Sequence, residues 1–274
     1  MMLKLGDHGE AVKELQRNLN KLGSLLLIDG DFGPITQAAI VDARIVLKRP
    51  GPPYADDAVR DALAELGEPS ADLTASGVAF IGREEVSGPA EYRARYTHPI
   101  WPTKNSGITV GIGYDLRFAS ETMLRAHWSD VLPTAALNRL VAVVGAPGSE
   151  ERLTTVADVE IPLPAAVTVF LKRMLPQHVG YTRRAYPMLD NLPPARRTAL
   201  ISLVFNRGGD LEGDRRREMK RIRELLTAGD FDAVAAEFEA MVRLWDPVKE
   251  GGVIERRRRE AVLWRAGFVA LQLA

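Results

Sequence analysis

The 274-residue chain contains no cysteine, which removes disulfides, zinc thiolates and thiol nucleophiles together. It also lacks net charge: 36 Lys and Arg balance 36 Asp and Glu, so no global field draws it toward nucleic acid. No run approaches the roughly 20 apolar residues needed to cross a bilayer. The opening Met-Met-Leu-Lys-Leu-Gly-Asp has no apolar core of signal-peptide length. Histidine is scarce, at positions 8, 98, 127 and 178 only, in no ligand spacing. No metal or other cofactor is therefore expected. Neither nucleic acid nor a membrane is expected as a partner, and a monomer is the expected state.

What is present is the composition of a globular protein, with 46% hydrophobic and 26% charged residues. The basic runs Arg215-Arg216-Arg217 and Arg256 to Arg259 are interleaved with acids and read as solvated helix faces. The first stretch, residues 3–48, reads as two helices around a tight loop. Val12, Leu15, Leu19 and Leu22 make one apolar stripe over about Glu10 to Leu22, with Gly23 as its cap. Asp29-Gly-Asp-Phe-Gly-Pro34 is a turn whose proline suits the first turn of a helix to about Lys48, burying Ile35, Ala39, Ala43 and Val46. Arg49-Pro-Gly-Pro-Pro53 stops it. Asp56 or Asp57 then caps a short third helix carrying Val59, Leu63 and Leu66.

Glu68-Pro-Ser-Ala-Asp72 reads as a linker, giving expected domains of 1–68 and 73–274. Helical patterning resumes from Leu73 and runs into the acidic pair Glu84-Glu85. Residues 87–107, rich in Pro, Gly and aromatics, read as an irregular loop. Then comes Thr109-Val-Gly-Ile-Gly-Tyr-Asp115. Ile108, Val110 and Ile112 alternate with Thr109, Gly111 and Gly113, the pattern of a strand with one buried face and one nearly bare face. Thr109 and Asp115 share a parity, but six extended residues span roughly 20 Å. Either the glycines turn the chain back or Asp115 stands apart, as a helix cap or turn acceptor. Beyond it, helices fit a segment capped by Ser120, then Pro133 to Val144, Pro164–Val179, Pro194–Asn206, Arg216–Ala228, Asp232–Leu244 and Val253–Gln272. The expected fold class is α+β, mostly α, with one short β-sheet.

A carboxylate at the end of an apolar helix, beneath a groove, suits the protonation of a departing glycosidic oxygen. Glu84 and Glu85 cannot share that task, since neighbours on a helix point about 100° apart.

Two resemblances sharpen this reading. Gly6, Gly9, Leu15-Gln16, Leu22-Gly23, Asp29-Gly30, Phe32-Gly33, Pro34 and Thr36 resemble the peptidoglycan-binding repeat domain attached to many wall hydrolases. The Phe-Gln pair usual late in its second helix is Asp42-Ala43 here. The stretch from Glu85-Val-Ser-Gly to Thr109-Val-Gly-Ile-Gly-Tyr-Asp115 resembles phage-type lysozymes, and more closely the pesticin-like muramidases, whose Asp follows the glycines. Ala199 to Gly208, ending Phe-Asn-Arg-Gly, and Gly252 to Trp264 resemble that family's buried and terminal helices, with an amide and an arginine pair tying the lobe over the groove.

The resemblance implies a three-helix wall-binding bundle followed by a lysozyme-like domain. It implies Glu85 as general acid, Thr109 as the hydroxyl that holds water and Asp115 as second carboxylate. Tyr114, Asn206, Asp29 and Phe32 are the implied substrate contacts, and bacterial peptidoglycan is the implied partner. The implied activity is cleavage of the β-1,4 bond between N-acetylmuramic acid and N-acetylglucosamine. Two other readings stay open: a lytic transglycosylase, which needs only the glutamate, and a non-catalytic wall-binding protein. Without a signal of its own, such a protein is expected to reach the wall by phage-type release or by delivery as a toxin, the latter accompanied by an immunity protein.

Overall fold

A computed structural model describes residues 2–102 and 106–266. The described chain is mostly helical, with one two-stranded antiparallel sheet. The expected end of the last helix, up to Gln272, lies outside the described residues, as do residues 103–105 of the expected loop.

The first 66 residues hold a hydrophobic cluster of their own, around Val12, Leu19, Phe32, Ile40, Val59 and Leu63. Helices α1 (Glu10–Asn20), α2 (Pro34–Val46) and α3 (Asp57–Ala64) surround it. Asp56 is the residue that caps α3, accepting from the Val59 N–H at 2.9 Å. The inner face of α2 differs from the expected one. Thr36, Ala39, Ile40 and Ala43 are buried, whereas Ile35 and Val46 are exposed. The reason is polar: the Thr36 hydroxyl accepts from Gln16 Nε2 at 3.2 Å and donates to the Asp31 carbonyl at 3.2 Å, which turns that side inward.

A larger cluster, which also takes in Leu25, fills the rest of the chain. Its axis is α11 (Pro194–Arg207), buried along most of its length from Ala195 to Val204. A helix apolar on most sides must be covered on most sides. Its cover comes from α4 (Ala75–Val86), α10 (Leu175–Ala185) and α14 (Gly251–Ala266). Against α4 the fit is close: a Cβ at Gly77 would fall 2.5 Å from Thr198 Oγ1 of α11. Helix α13 (Val234–Ala240) packs beside α14, and α12 (Arg217–Ala228) packs on α13.

Two helices were not foreseen. Pro89 opens α5 (Pro89–Arg95) within the expected loop, because proline at a first helical position costs no hydrogen bond. Tyr92 then buries its ring and donates its hydroxyl to the Ile161 carbonyl at 2.8 Å. Ser149 caps α8 (Glu150–Val156), a segment between the expected helices. Helices α6 (Glu121–Trp128) and α7 (Thr134–Val141) lie where expected, and Ser120 caps α6 by accepting from the Met123 N–H at 3.1 Å. The helix expected from Pro164 is α9 (Leu163–Val169) running through one widened turn, Phe170–Met174, into α10. Pro176 lacks an N–H and crowds the carbonyl four residues back, and the widened turn absorbs both effects.

The strand expected across 108–113 is a hairpin instead. Strands β1 (Thr109–Val110) and β2 (Tyr114–Asp115) are joined through Gly111, Ile112 and Gly113, with both glycines at positive φ, 60° and 73°. The aliphatic side is nonetheless as expected: Ile108, Val110 and Ile112 are all buried. Among the described residues no helix is long and apolar enough to cross a membrane.

Candidate active site

The hairpin resolves the distance problem that an extended strand would have posed. Thr109 is paired with Asp115 and Val110 with Tyr114, so the first two of these side chains share one face of the ribbon. Ile100 adds a bridge on the outer side of Thr109, with backbone hydrogen bonds of 3.0 and 2.8 Å. A Cβ placed on Gly113 would lie 3.0 Å from Glu85 Oε2. The last turn of α4 therefore presses its glutamate against the hairpin's turn, and Asp115 begins only two residues, roughly 7 Å, further along.

The two glutamates at the end of α4 part company as helix geometry requires. Glu84 points to Arg259, which donates to both of its oxygens at 2.6 and 2.8 Å. Glu85 gives one oxygen, Oε1, to Arg256 Nη1 at 2.6 Å and turns the other toward Gly113. Its side chain is 18% exposed, against 7% for Glu84. Glu85 thus keeps more solvent access than Glu84.

Behind Glu85 stands a buried ionic cluster. Arg256 donates to the Ser202 carbonyl at 2.9 Å, to Ser202 Oγ at 3.1 Å and to Glu260 Oε1 at 3.3 Å. Ser202 Oγ donates to the same Glu260 oxygen at 2.5 Å, and Arg257 Nη2 donates there at 2.8 Å. Two arginines face two carboxylates, Glu85 and Glu260, so the cluster closes near neutrality. Burial works against the Arg256 cation, but Glu85 and Glu260 more than compensate and hold it firmly protonated. Burial raises the Glu260 carboxyl, with Arg257 and Arg256 opposing it. The expectation that residues 256–259 form a solvated face is corrected here. Arg256 and Arg257 are 3% and 0% exposed, and only Arg258 and Arg259 face solvent.

The other expected site residues separate into distinct places. Asp115 is a turn acceptor: its Oδ1 accepts from the Gly107 and Arg117 N–H groups at 3.0 and 2.9 Å, and Oδ2 from Gly107 at 3.2 Å. Tyr114 is largely buried, edge-on to Trp128, with its hydroxyl 3.0 Å from His127 Nδ1. Burial pushes that hydroxyl up to about 12. Asn206 is exposed at the end of α11, lining a cleft with Arg207, Arg216 and Trp245 rather than the hairpin.

In the first module, Asp29 is exposed but accepts from Gln16 Nε2 at 2.7 Å and from the Asp31 N–H at 2.9 Å. Phe32 is corrected outright. It is fully buried and supports the loop from beneath, with none of its ring on the surface. One neighbour of Glu85 carried no sequence signal. His178 lies within electrostatic reach of the glutamate and is stacked 4.2 Å from Phe205, with its ring nitrogen 2.8 Å from the Met174 carbonyl. Burial lowers its pKa from the ordinary histidine value, and Glu85 pulls the other way.

A cavity of about 600 Å³ opens on Glu84's side of α4, among Leu26, Ile28, Phe80, Arg83 and Arg259. It does not include Glu85, Thr109 or Asp115. Among the described residues no three His, Cys, Asp or Glu side chains gather as a metal site would need.

Comparison with known families gives a match at the N-terminus. Residues 8–43 match the family model described as a putative peptidoglycan binding domain. That range spans α1, the Asp29–Pro34 loop and most of α2. The match supports a peptidoglycan-binding domain at the N-terminus, association with the cell wall, and peptidoglycan as a partner. No curated protein matches the chain.

Proposed function

We propose that the chain is a peptidoglycan hydrolase of the muramidase class, in which the N-terminal module holds the polymer and a lysozyme-like body cuts it. The observation that carries this reading is the placement of Glu85 Oε2 against Gly113, at the turn of the hairpin whose strands pair Thr109 with Asp115. In this reading Glu85 delivers a proton to the departing glycosidic oxygen, as the general acid that such bonds require. Arg256 holds the other carboxylate oxygen and fixes the rotamer. The Thr109 hydroxyl orients water on the opposite face of the sugar, and Asp115 supplies negative charge near the positive sugar that develops. Anchoring to an insoluble polymer raises the local substrate concentration, which accounts for joining the two modules.

A second reading, lytic transglycosylase, is favoured by one observation. The Asp115 carboxylate is already engaged by three backbone hydrogen bonds. A transglycosylase needs only the glutamate, because a hydroxyl of the substrate itself closes the ring. Mass analysis of muropeptides released from purified sacculi by wild type, Glu85→Gln and Asp115→Asn separates the readings. Reducing muramic ends lost in both variants support the hydrolase. Anhydro ends that survive Asp115→Asn support the transglycosylase. Wild type that pellets with sacculi and releases nothing overturns both and leaves a wall-binding protein.

A further inference from the structure

The richest unassigned feature lies one step along α14 from Arg256. There a cleft of about 590 Å³ is lined by Arg207, Arg215, Arg216, Trp245 and Asn206. Arg207 lies over the Trp245 ring, its guanidinium carbon 5.1 Å from the centroid, and that of Arg257 is 6.0 Å from the same ring. Arg207 Nε and Arg216 Nη1 have only the weak acceptor Met219 Sδ, at 3.4 and 3.5 Å, and Arg207 Nη2 donates to the Arg215 carbonyl.

Two carboxylates, Asp214 and Glu212, also line the cleft. Asp214 pairs with Arg243 at 3.1 Å and Arg217 at 3.6 Å, and Glu212 approaches Lys220 at 4.0 Å. Among the described residues, no carboxylate lies within ion-pair distance of Arg207, Arg215 or Arg216. Arg257, fully buried, has no acceptor for Nε or Nη1 among the described residues. Burial together with Arg216, Arg257 and Arg215 brings Arg207 down to about 10. Cations crowded until they lower one another's proton affinity have a deficit that a bound anion removes.

We propose that this cleft is an anion site that takes a carboxylate of a peptidoglycan peptide stem. The planar guanidinium fork matches a carboxylate in two hydrogen bonds at once, and the Trp245 face holds Arg207 in place for it. The assignment rests on peptidoglycan as the partner, as in the proposed function. It adds the part of the polymer recognised: the peptide, where the hairpin side takes the glycan.

Titration of the full chain, followed in ¹H–¹⁵N spectra by the Trp245 indole resonance (assigned with Trp245→Phe), tests the site. The titrants are a stem tetrapeptide with free carboxylates, the same peptide fully amidated, and inorganic phosphate. The free-carboxylate peptide is expected to move the Trp245 resonance and the amidated peptide to leave it. The Arg215→Gln/Arg216→Gln double variant is expected to need about tenfold more peptide, since losing charge-assisted bonds of this kind costs about 1.4 kcal/mol or more. No movement in wild type, or equal movement in the double variant, overturns the proposal. Phosphate acting at lower concentration than the peptide overturns it in favour of a phosphate site. None of the titrants contains a glycosidic bond, so the outcome does not depend on whether Glu85 cleaves one.

Discussion

Thr109 lies directly across the hairpin from Asp115, in register, with the turn at Gly111 and Gly113 closing two residues away from each. The pairing brings to one ribbon face two groups that an extended chain would hold roughly 20 Å apart. Asp115 also accepts backbone N–H groups at the turn, and substitution tests what they contribute. Asparagine keeps Oδ1, which accepts from Gly107 and Arg117, whereas alanine removes the acceptor altogether. Asp115→Asn is expected to unfold within about 0.5 kcal/mol of wild type, and Asp115→Ala to lose about 1–2 kcal/mol, the cost of an uncapped turn. Urea unfolding of both proteins checks this. Equal stability of all three forms would show that the backbone bonds contribute nothing.

Gly113→Ala joins the two halves of the site in one substitution. The backbone there is left-handed, which costs a residue with a Cβ about 1–2 kcal/mol. The new methyl would also sit 3.0 Å from Glu85 Oε2 and push the carboxylate aside. A fall in Tm of a few degrees is expected, at about 2–4 °C per kcal/mol for a body of this size. On the proposed function, the loss of muropeptide release should be far larger, at least tenfold. Retained activity at a lowered Tm would mean that Glu85 does not need its present position.

Much of this arrangement was legible from residue order. The Asp29–Pro34 loop, a cap at Asp56 or Asp57, the cap at Ser120, the buried helix ending near Asn206 and the aliphatic side of the hairpin all follow from local chemistry, which acts over a few residues. Which way a face points does not. Ile35 and Val46 are more apolar than Thr36, yet Thr36 turns inward because Gln16, on another helix, supplies its hydrogen bond. Arg256 and Arg257 look like a solvated run until Glu85, 171 residues away, and Glu260 are seen to neutralise them. The Pro89 helix was hidden by the proline that starts it. Phe32 matched the wall-binding pattern because the loop needs a buried anchor.

Arg256→Met is expected to be among the most destabilising single changes in the larger core. It leaves Glu85 without its cation and takes one of two cations from buried Glu260, and breaking a buried pair in this way costs about 3–5 kcal/mol. Adding Glu260→Gln should return part of that loss, because the carboxylate left short of positive charge is then neutral. Thermal unfolding of the two single variants and the double closes the cycle, and strict additivity would show that the groups are not coupled.

In the first module, Gln16 is the residue on which the Asp29–Pro34 loop depends. Buried at 1% exposure, it shares its amide hydrogens among Asp29 Oδ1, the Asp31 carbonyl and Thr36 Oγ1, and accepts from the Gly30 N–H at 2.9 Å. Gln16→Ala leaves those partners unmet and should cost about 1–3 kcal/mol. If the loop presents the binding surface, the fraction of full chain that pellets with sacculi should drop while the larger body stays folded. Unchanged pelleting would move wall affinity away from this loop.

His178 and His127 each contribute a pH dependence to stability, since both are lowered from the ordinary value of 6.5 by burial, with Arg173 adding to the shift at His127. The folded chain resists protons that the unfolded chain accepts, so stability is fully present above pH 6.5 and declines as pH falls through the lowered values. Each such histidine contributes at most about 1.4 kcal/mol per pH unit in that window. Replacing His178 by Phe removes one of the two, and it keeps an aromatic ring against Phe205. The slope of unfolding free energy against pH, measured by urea titration from pH 7 to pH 5, should be shallower in His178→Phe by up to one proton. A slope identical to that of wild type would mean that His178 titrates normally in the folded protein, and that the stack on Phe205 does not exclude its charged form.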